Sequence, residues 1–135
     1  MIFFLDTDIC IFALKGRFAA IEGHLRSTSP EQIKIPSIVK AELLLGARKS
    51  DNPQKVSAVI EAFLSPFESI PFCHRCAVLY AQIRYELEAK GEKIGPNDLI
   101  IAATAVAHHS TLITHTTKEY RRIAQLKLQD WTLTG

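Results

Sequence analysis

Hydrophobic positions change their period along the chain, and each change predicts an element. Ile2-Phe3-Phe4-Leu5 is a continuous apolar run of buried-strand length, and Asp6-Thr7-Asp8 supplies capping residues for a short helix over Ile9 to Leu14, closed by Gly16. Phe18, Ile21 and Leu25 share one helical face, and Gln32 to Ile35 suits a short strand. From Ile38 to Lys49 the stripe Ile38/Val39, Glu42, Leu45/Gly46 places an acid between apolar neighbours, so Glu42 faces inward or borders the core. Pro53 opens another helix through Val56, Ile60 and Phe63/Leu64. Phe67 to Phe72 suits an edge strand or an extended connection, because Pro71 argues against a central strand.

The second half continues the alternation. A long helix is expected from Arg75 to Lys90, with Leu79/Tyr80, Ile83 and Leu87 inward and Gly91 ending it. Pro96 suits the first turn of a helix whose body, Leu99 to Ala107, is apolar nearly all round and therefore deeply buried. Thr111 to Thr114 reads as a buried strand, Thr117 to Ile123 as a helical turn and Leu126 to Trp131 as a last strand. Strands alternating with helices predict an α/β sandwich with a largely parallel sheet, whose ligands sit beyond the strands' carboxyl ends.

Composition narrows the class. With 135 residues and 47% hydrophobic content, the chain fits one domain able to bury a core. A net charge of +2 permits a polyanionic partner without announcing one. Three cysteines, Cys10, Cys73 and Cys76, form no repeated disulfide framework, which points to a reducing compartment and a cytoplasmic protein. The longest apolar stretch, Leu99 to Ala107, is too short to span a bilayer, so no membrane role is expected.

Three acids stand in unusual settings: Asp6 after the first apolar run, Glu42 on its helical stripe, and Asp98 in the first turn of the apolar helix. Singly, each has an ordinary explanation as a cap, a solvated side chain or a charge favourable at a helix N-terminus. Buried together they would repel one another unless protonated or bound to a cation, and hard carboxylate oxygens suit Mg²⁺ or Mn²⁺. A shell shared by carboxylates, water and a phosphate is the chemistry of phosphodiester cleavage.

The segments around these acids carry a resemblance. Leu5-Asp6-Thr7-Asp8-Ile9, Ala41-Glu42-Leu43-Leu44-Leu45-Gly46-Ala47, Gly95-Pro96-Asn97-Asp98-Leu99-Ile100-Ile101-Ala102-Ala103 and Thr114-His115-Thr116-Thr117-Lys118-Glu119-Tyr120 resemble, in order, the motifs of PIN-domain ribonucleases of the VapC toxin family, and the match continues to Leu126-Lys127-Leu128-Gln129-Asp130-Trp131. The resemblance implies a single PIN domain over 1–135, an α/β/α sandwich with a mostly parallel sheet of about five strands. It also implies a Mg²⁺- or Mn²⁺-dependent toxin endoribonuclease neutralised by a VapB-type antitoxin, forming a homodimer and meeting operator DNA only through that antitoxin. The resemblance favours a transfer RNA anticodon stem-loop, that of initiator tRNA first, with other transfer RNAs, ribosomal RNA and messenger RNA left open by the sequence. Asp6, Glu42 and Asp98 match the family's acidic triad and Glu119 its fourth acid, all as catalytic metal ligands. Thr7 and Thr114 fall beside the metal pocket, where hydroxyls orient water or ligand. Asp8, His115-Thr116 and Tyr120 depart from the family pattern. Asp8 is expected chiefly to cap the first helix, with entry into the metal shell as the alternative, and His115 is expected to be a plain surface residue, with contact to a substrate phosphate as the alternative.

Two rival readings follow from the same residues. Asp6-Thr7-Asp8 after a strand is also how haloacid-dehalogenase-like phosphatases begin, although Cys10 and the lack of their later motifs weigh against that class. A non-catalytic binding subunit of an antitoxin–operator complex would have no reason to keep three costly acids. Cys73-His74-Arg75-Cys76 is expected to be an ordinary helix start, and His108-His109 to cap the C-terminal carbonyls of the apolar helix. Lys15, Arg17, Lys40, Arg48, Lys49, Lys93, Lys118, Arg121 and Arg122 lie in or near the motif-bearing segments, and a subset of them is expected to meet RNA phosphates.

Overall fold

A computed structural model describes residues 1–133. Five strands pair in parallel: Phe3–Leu5 (β1), Ile33–Pro36 (β2), Glu68–Ile70 (β3), Thr111–Ile113 (β4) and Lys127–Gln129 (β5), in the order β3-β2-β1-β4-β5. Parallel neighbours need crossover connections, and helices supply them: Thr7–Leu14 (α1), Ala19–Ser27 (α2), Ser37–Arg48 (α3), Pro53–Leu64 (α4), His74–Ala89 (α5), Pro96–Ala107 (α6) and Thr117–Tyr120 (α7). The result is the expected helix-flanked parallel sheet. Phe4, Leu5, Leu112 and Ile113 on the two central strands are fully or almost fully buried, as strands covered on both faces must be. No helix among the described residues is long and apolar enough to cross a membrane.

Connectivity decides where the site lies. The chain moves outward from β1 to β2 and β3, then returns across the sheet to place β4 on the free side of β1. Successive connections therefore diverge at the carboxyl ends of β1 and β4, which leaves a crevice there. Asp6 follows β1 and Thr114 follows β4. Helix α6 enters β4 from the opposite direction, so its N-terminal turn, with Asp98, faces the same end of the sheet. Seven of its twelve residues are buried, so Asp98 is held by a helix with little freedom to shift.

Several expectations need correction. Helix α2 begins at Ala19, and Phe18 stands before it with φ 60°, outside any helix. Leu45, placed on the inward stripe of α3, is 54% exposed; the buried stripe is Val39, Leu43 and Ala47, with Glu42 half-buried at its flank. A 3-10 turn over Pro30–Gln32 precedes β2. The last strand is shorter than its apolar pattern because Trp131 leaves the ladder to stack on His24, with ring centroids 4.8 Å apart, and to pack against Phe3. Edge placement of β3 agrees with Pro71 beside it. His108 does turn back on α6, its Nδ1 2.9 Å from the Thr104 carbonyl, and Gly91 with φ 70° ends α5.

Candidate active site

Asp6 is the pivot. Its backbone N–H still pairs with Ile113 of β4 (2.9 Å), so the sheet fixes its Cα. Its side chain caps α1, Oδ1 accepting from the Thr7 amide at 2.8 Å, while Oδ2 accepts from the Thr114 hydroxyl at 2.7 Å. Thr114 is itself held by its amide bond to the Gln129 carbonyl on β5. The carboxylate is thus oriented by two neighbouring strands and is only 4% exposed.

Asp8 is not the cap. Its Oδ1 accepts from the Ile9 amide, and its Oδ2 accepts from the His115 amide and the Thr116 hydroxyl, both at 3.0 Å, fastening the loop after β4 to α1. The capping expectation fails because Asp6 stands one residue before the first helical position and takes the role itself. Glu42 reaches the pocket from α3, where its Oε1 accepts from the Thr7 hydroxyl at 2.6 Å. The hydroxyls of Thr7 and Thr114 are thus spent on aiming the two carboxylates.

Charge crowding is visible in the acidities. Burial foremost, and then the charge of Asp8, push the Asp6 carboxyl up to about 7, against the Thr114 hydroxyl and the Thr7 amide; Asp98 adds a smaller repulsion. Asp98 is also raised, first by burial and then by Glu42, Glu119 and Asp8, with the Tyr120 hydroxyl opposing them. Asp6, Glu42, Asp98 and Glu119 therefore belong to one electrostatic neighbourhood, with Glu119 on the wall of a cavity of about 470 Å³ that Gly95, Lys93 and Arg84 also line.

Tyr120 was missed as a site residue. It is completely buried, and its hydroxyl lies close enough to Asp6 and Asp98 to act on both, yet among the described residues neither contact reaches the distance and angle of a formed hydrogen bond. Helical spacing foretells the buried ring, but nothing local foretells the orphaned hydroxyl. A buried hydroxyl without a well-formed hydrogen bond, beside two carboxylates whose acidity burial weakens, is a site built to receive something polar. A hydrated divalent cation fits that donor set: carboxylate oxygens aimed by hydroxyls, and a hydroxyl free to bind a coordinated water. Among the described residues no three acids, histidines or cysteines converge tightly enough to enclose an ion by themselves. A divalent cation that keeps water in its shell suits these residues better than a dehydrated protein cage does.

Other candidates fall outside. Cys73 and Cys76 begin α5 with their sulfurs 3.4 Å apart, beside Thr104 and near His109 at the far end of α6 from Asp98. Lys40 pairs with Glu61 and Arg122 with Glu92. His115 is more than a surface histidine: its Nδ1 lies 3.0 Å from Asp130 and 3.2 Å from the Thr132 hydroxyl.

Comparison with known proteins identifies the family and the fold. The family model described as PIN domain matches residues 3–126. A Rickettsia felis protein named Ribonuclease VapC2 is 40% identical over 132 residues, covering 97% of this chain and 98% of its own. A Shigella flexneri protein named tRNA(fMet)-specific endonuclease VapC is 35% identical over 130 residues, covering 96% and 98%. Among solved structures, Rickettsia felis VapBC2 bound to a promoter DNA fragment superposes with a TM-score of 0.92 at 39% identity, covering 97% of this chain and 99% of that one. DNA-bound VapBC from Salmonella typhimurium also gives 0.92, at 34% identity and 97% and 98% coverage.

Proposed function

The chain belongs to the PIN-domain family, and from that premise we propose that it is a VapC-type toxin endoribonuclease, a single PIN domain over 1–135 that hydrolyses RNA phosphodiesters with Mg²⁺ or Mn²⁺. The observation that carries the reading is the meeting of Asp6 and Asp98 around the orphaned Tyr120 hydroxyl at the sheet's switch point, with Glu42 and Glu119 in the same field. Names borne by relatives support RNA as substrate and transfer RNA, initiator tRNA foremost, as the target.

Asp6, Glu42, Asp98 and Glu119 would hold the cation. When bound, it offsets the charge of the scissile phosphate and makes water a better nucleophile. Asp6, whose carboxyl burial and Asp8 push up to about 7, would have to be ionised to hold the cation, which would couple loading to proton release. Thr114 and Thr7 keep the oxygens of Asp6 and Glu42 aimed during turnover, which limits the reorganisation that the reaction demands. Lys93, on the wall of the same cavity as Glu119, would supply positive charge to the RNA path. Water attacks phosphorus in line and the 3′-oxygen leaves, giving a 5′-phosphate and a 3′-hydroxyl with no part for the 2′-hydroxyl.

A VapB-type antitoxin is the proposed inhibitor, in keeping with the VapBC complexes this fold matches. Beside Glu42, the apolar groove lined by Ile11, Leu14, Leu43, Val56, Val59 and Ile60, about 540 Å³, suits a partner segment that places a basic or bulky side chain among the acids. Operator DNA would be reached through that partner, in a cytoplasmic assembly built on a homodimer. The phosphatase alternative needs Asp8 as a free acid/base, and its Oδ2 is already committed to the loop after β4. Purified protein incubated with RNA and Mg²⁺ tests the proposal: the wild type cleaves, chelator stops it, and Asp6→Asn does not cleave. A protein that binds RNA but never cuts it under any divalent cation is the binding subunit instead.

A further inference from the structure

The acidic pocket accounts for a phosphodiester, yet by itself it offers no seat for a base. His115, one residue past Thr114 and bonded to Asp8, gathers two further rings from separate segments: Phe12 on α1 and Phe18 before α2. Their centroids lie 5.0 Å apart for Phe12–Phe18 and 5.9 Å for each contact with His115. Phe18 is 43% exposed and the His115 side chain 50%. This is not a loose surface cluster. The His115 amide is bonded to Asp8, its ring is braced by Asp130 and Thr132, and the preceding residue is the Thr114 that orients Asp6.

Phe18 is held at φ 60° and ψ 96°, a region that a bulky residue enters only under strain. A glycine would adopt that backbone freely, and burial does not compensate for the ring, because much of it faces solvent. That backbone directs the ring toward His115, tilted 42° to it, and leaves part of the ring open to solvent. Lys15 and Arg17 flank it on the same turn; both are exposed, and among the described residues neither pairs with an acid.

We infer that Phe18 and His115, backed by Phe12, form a stacking seat for an unpaired nucleobase next to the scissile phosphate. Lys15 and Arg17 hold the adjoining phosphates. The inference rests on the ribonuclease reading and deepens it: the substrate must be single-stranded at this point, since a paired base offers no free face. Aromatic stacking of this kind tolerates any base, so the seat selects for an unpaired nucleotide rather than for its identity.

The test uses short single-stranded RNA with 2-aminopurine placed beside the cleavage position, titrated in chelator for binding and followed in Mg²⁺ for turnover. Wild type should quench the probe. Phe18→Ala should lose the quench and raise KM about tenfold with kcat within about twofold, while Phe18→Trp keeps both. RNA lacking the base at that nucleotide should erase the difference between wild type and Phe18→Ala. Equal quench and KM in Phe18→Ala, or a deficit that persists on the abasic RNA, overturns the seat. Wild type that cleaves without quenching at any flanking position removes the seat and leaves the nuclease standing. Wild type that neither cleaves nor binds RNA removes both.

Discussion

Asp6→Asn is expected to abolish cleavage while making the metal-free protein more stable, by an amount that grows with pH. Burial and the charge of Asp8 raise the Asp6 carboxyl from 3.8 to about 7. Since the folded state holds this proton more tightly than the unfolded chain, the stability it contributes is complete below about pH 4 and is lost as pH climbs to about 7. The whole loss is about 4 kcal/mol, roughly 3 kcal/mol of it between pH 5 and pH 8. Asparagine is nearly isosteric and cannot ionise. Its carbonyl oxygen can still accept from the Thr7 amide, and its NH₂ turns toward the Thr114 oxygen and the unpartnered Tyr120 hydroxyl. Urea unfolding in chelator at pH 5, 6, 7 and 8 should show the variant gaining on wild type by about 3 kcal/mol across that range. Asp98 stays half-buried in both proteins, and the small repulsion it exerts on Asp6 is part of the same gain. Saturating Mn²⁺ should then reverse the order, because only wild type has the full ligand set. A stability gap that stays flat with pH, or wild type that becomes more stable as pH rises while the variant does not, refutes the crowding argument.

Thr114→Val leaves Asp6 without its aiming hydroxyl and should weaken Mn²⁺ binding about 10- to 100-fold by calorimetric titration, with the fold intact by circular dichroism. Tyr120→Phe removes a buried hydroxyl that has no partner, so thermal melts in chelator should show a gain of about 1 kcal/mol, shrinking or reversing when Mn²⁺ is added. Ile113→Ala, in the centre of the sheet and fully buried, should cost about 2–5 kcal/mol in urea unfolding while the folded fraction keeps its cation affinity.

The order and type of most elements, and the candidate acids, can be read from local pattern, whereas the bounds of α2 and β5 cannot. Pro96 followed by a wholly apolar run specifies a buried helix with Asp98 in its first turn, and four apolar residues before Asp6 specify a strand that delivers an acid. Such patterns record burial. They do not record which buried surfaces meet. The tertiary structure alone decided that β4 returns beside β1, bringing Thr114 to Asp6 across 108 residues of chain. It likewise decided that Asp8 ties down the loop after β4 and that the Tyr120 hydroxyl lies unpaired between two carboxylates. Leu45 was misplaced for the same reason, since one helix offers more apolar positions than its neighbours cover. Phe18 looked like a helical core residue by spacing, whereas its strained backbone turns it outward over His115. Periodicity follows from the geometry of a single element, whereas the site is made where separate elements converge, and that convergence is set by sheet order and packing.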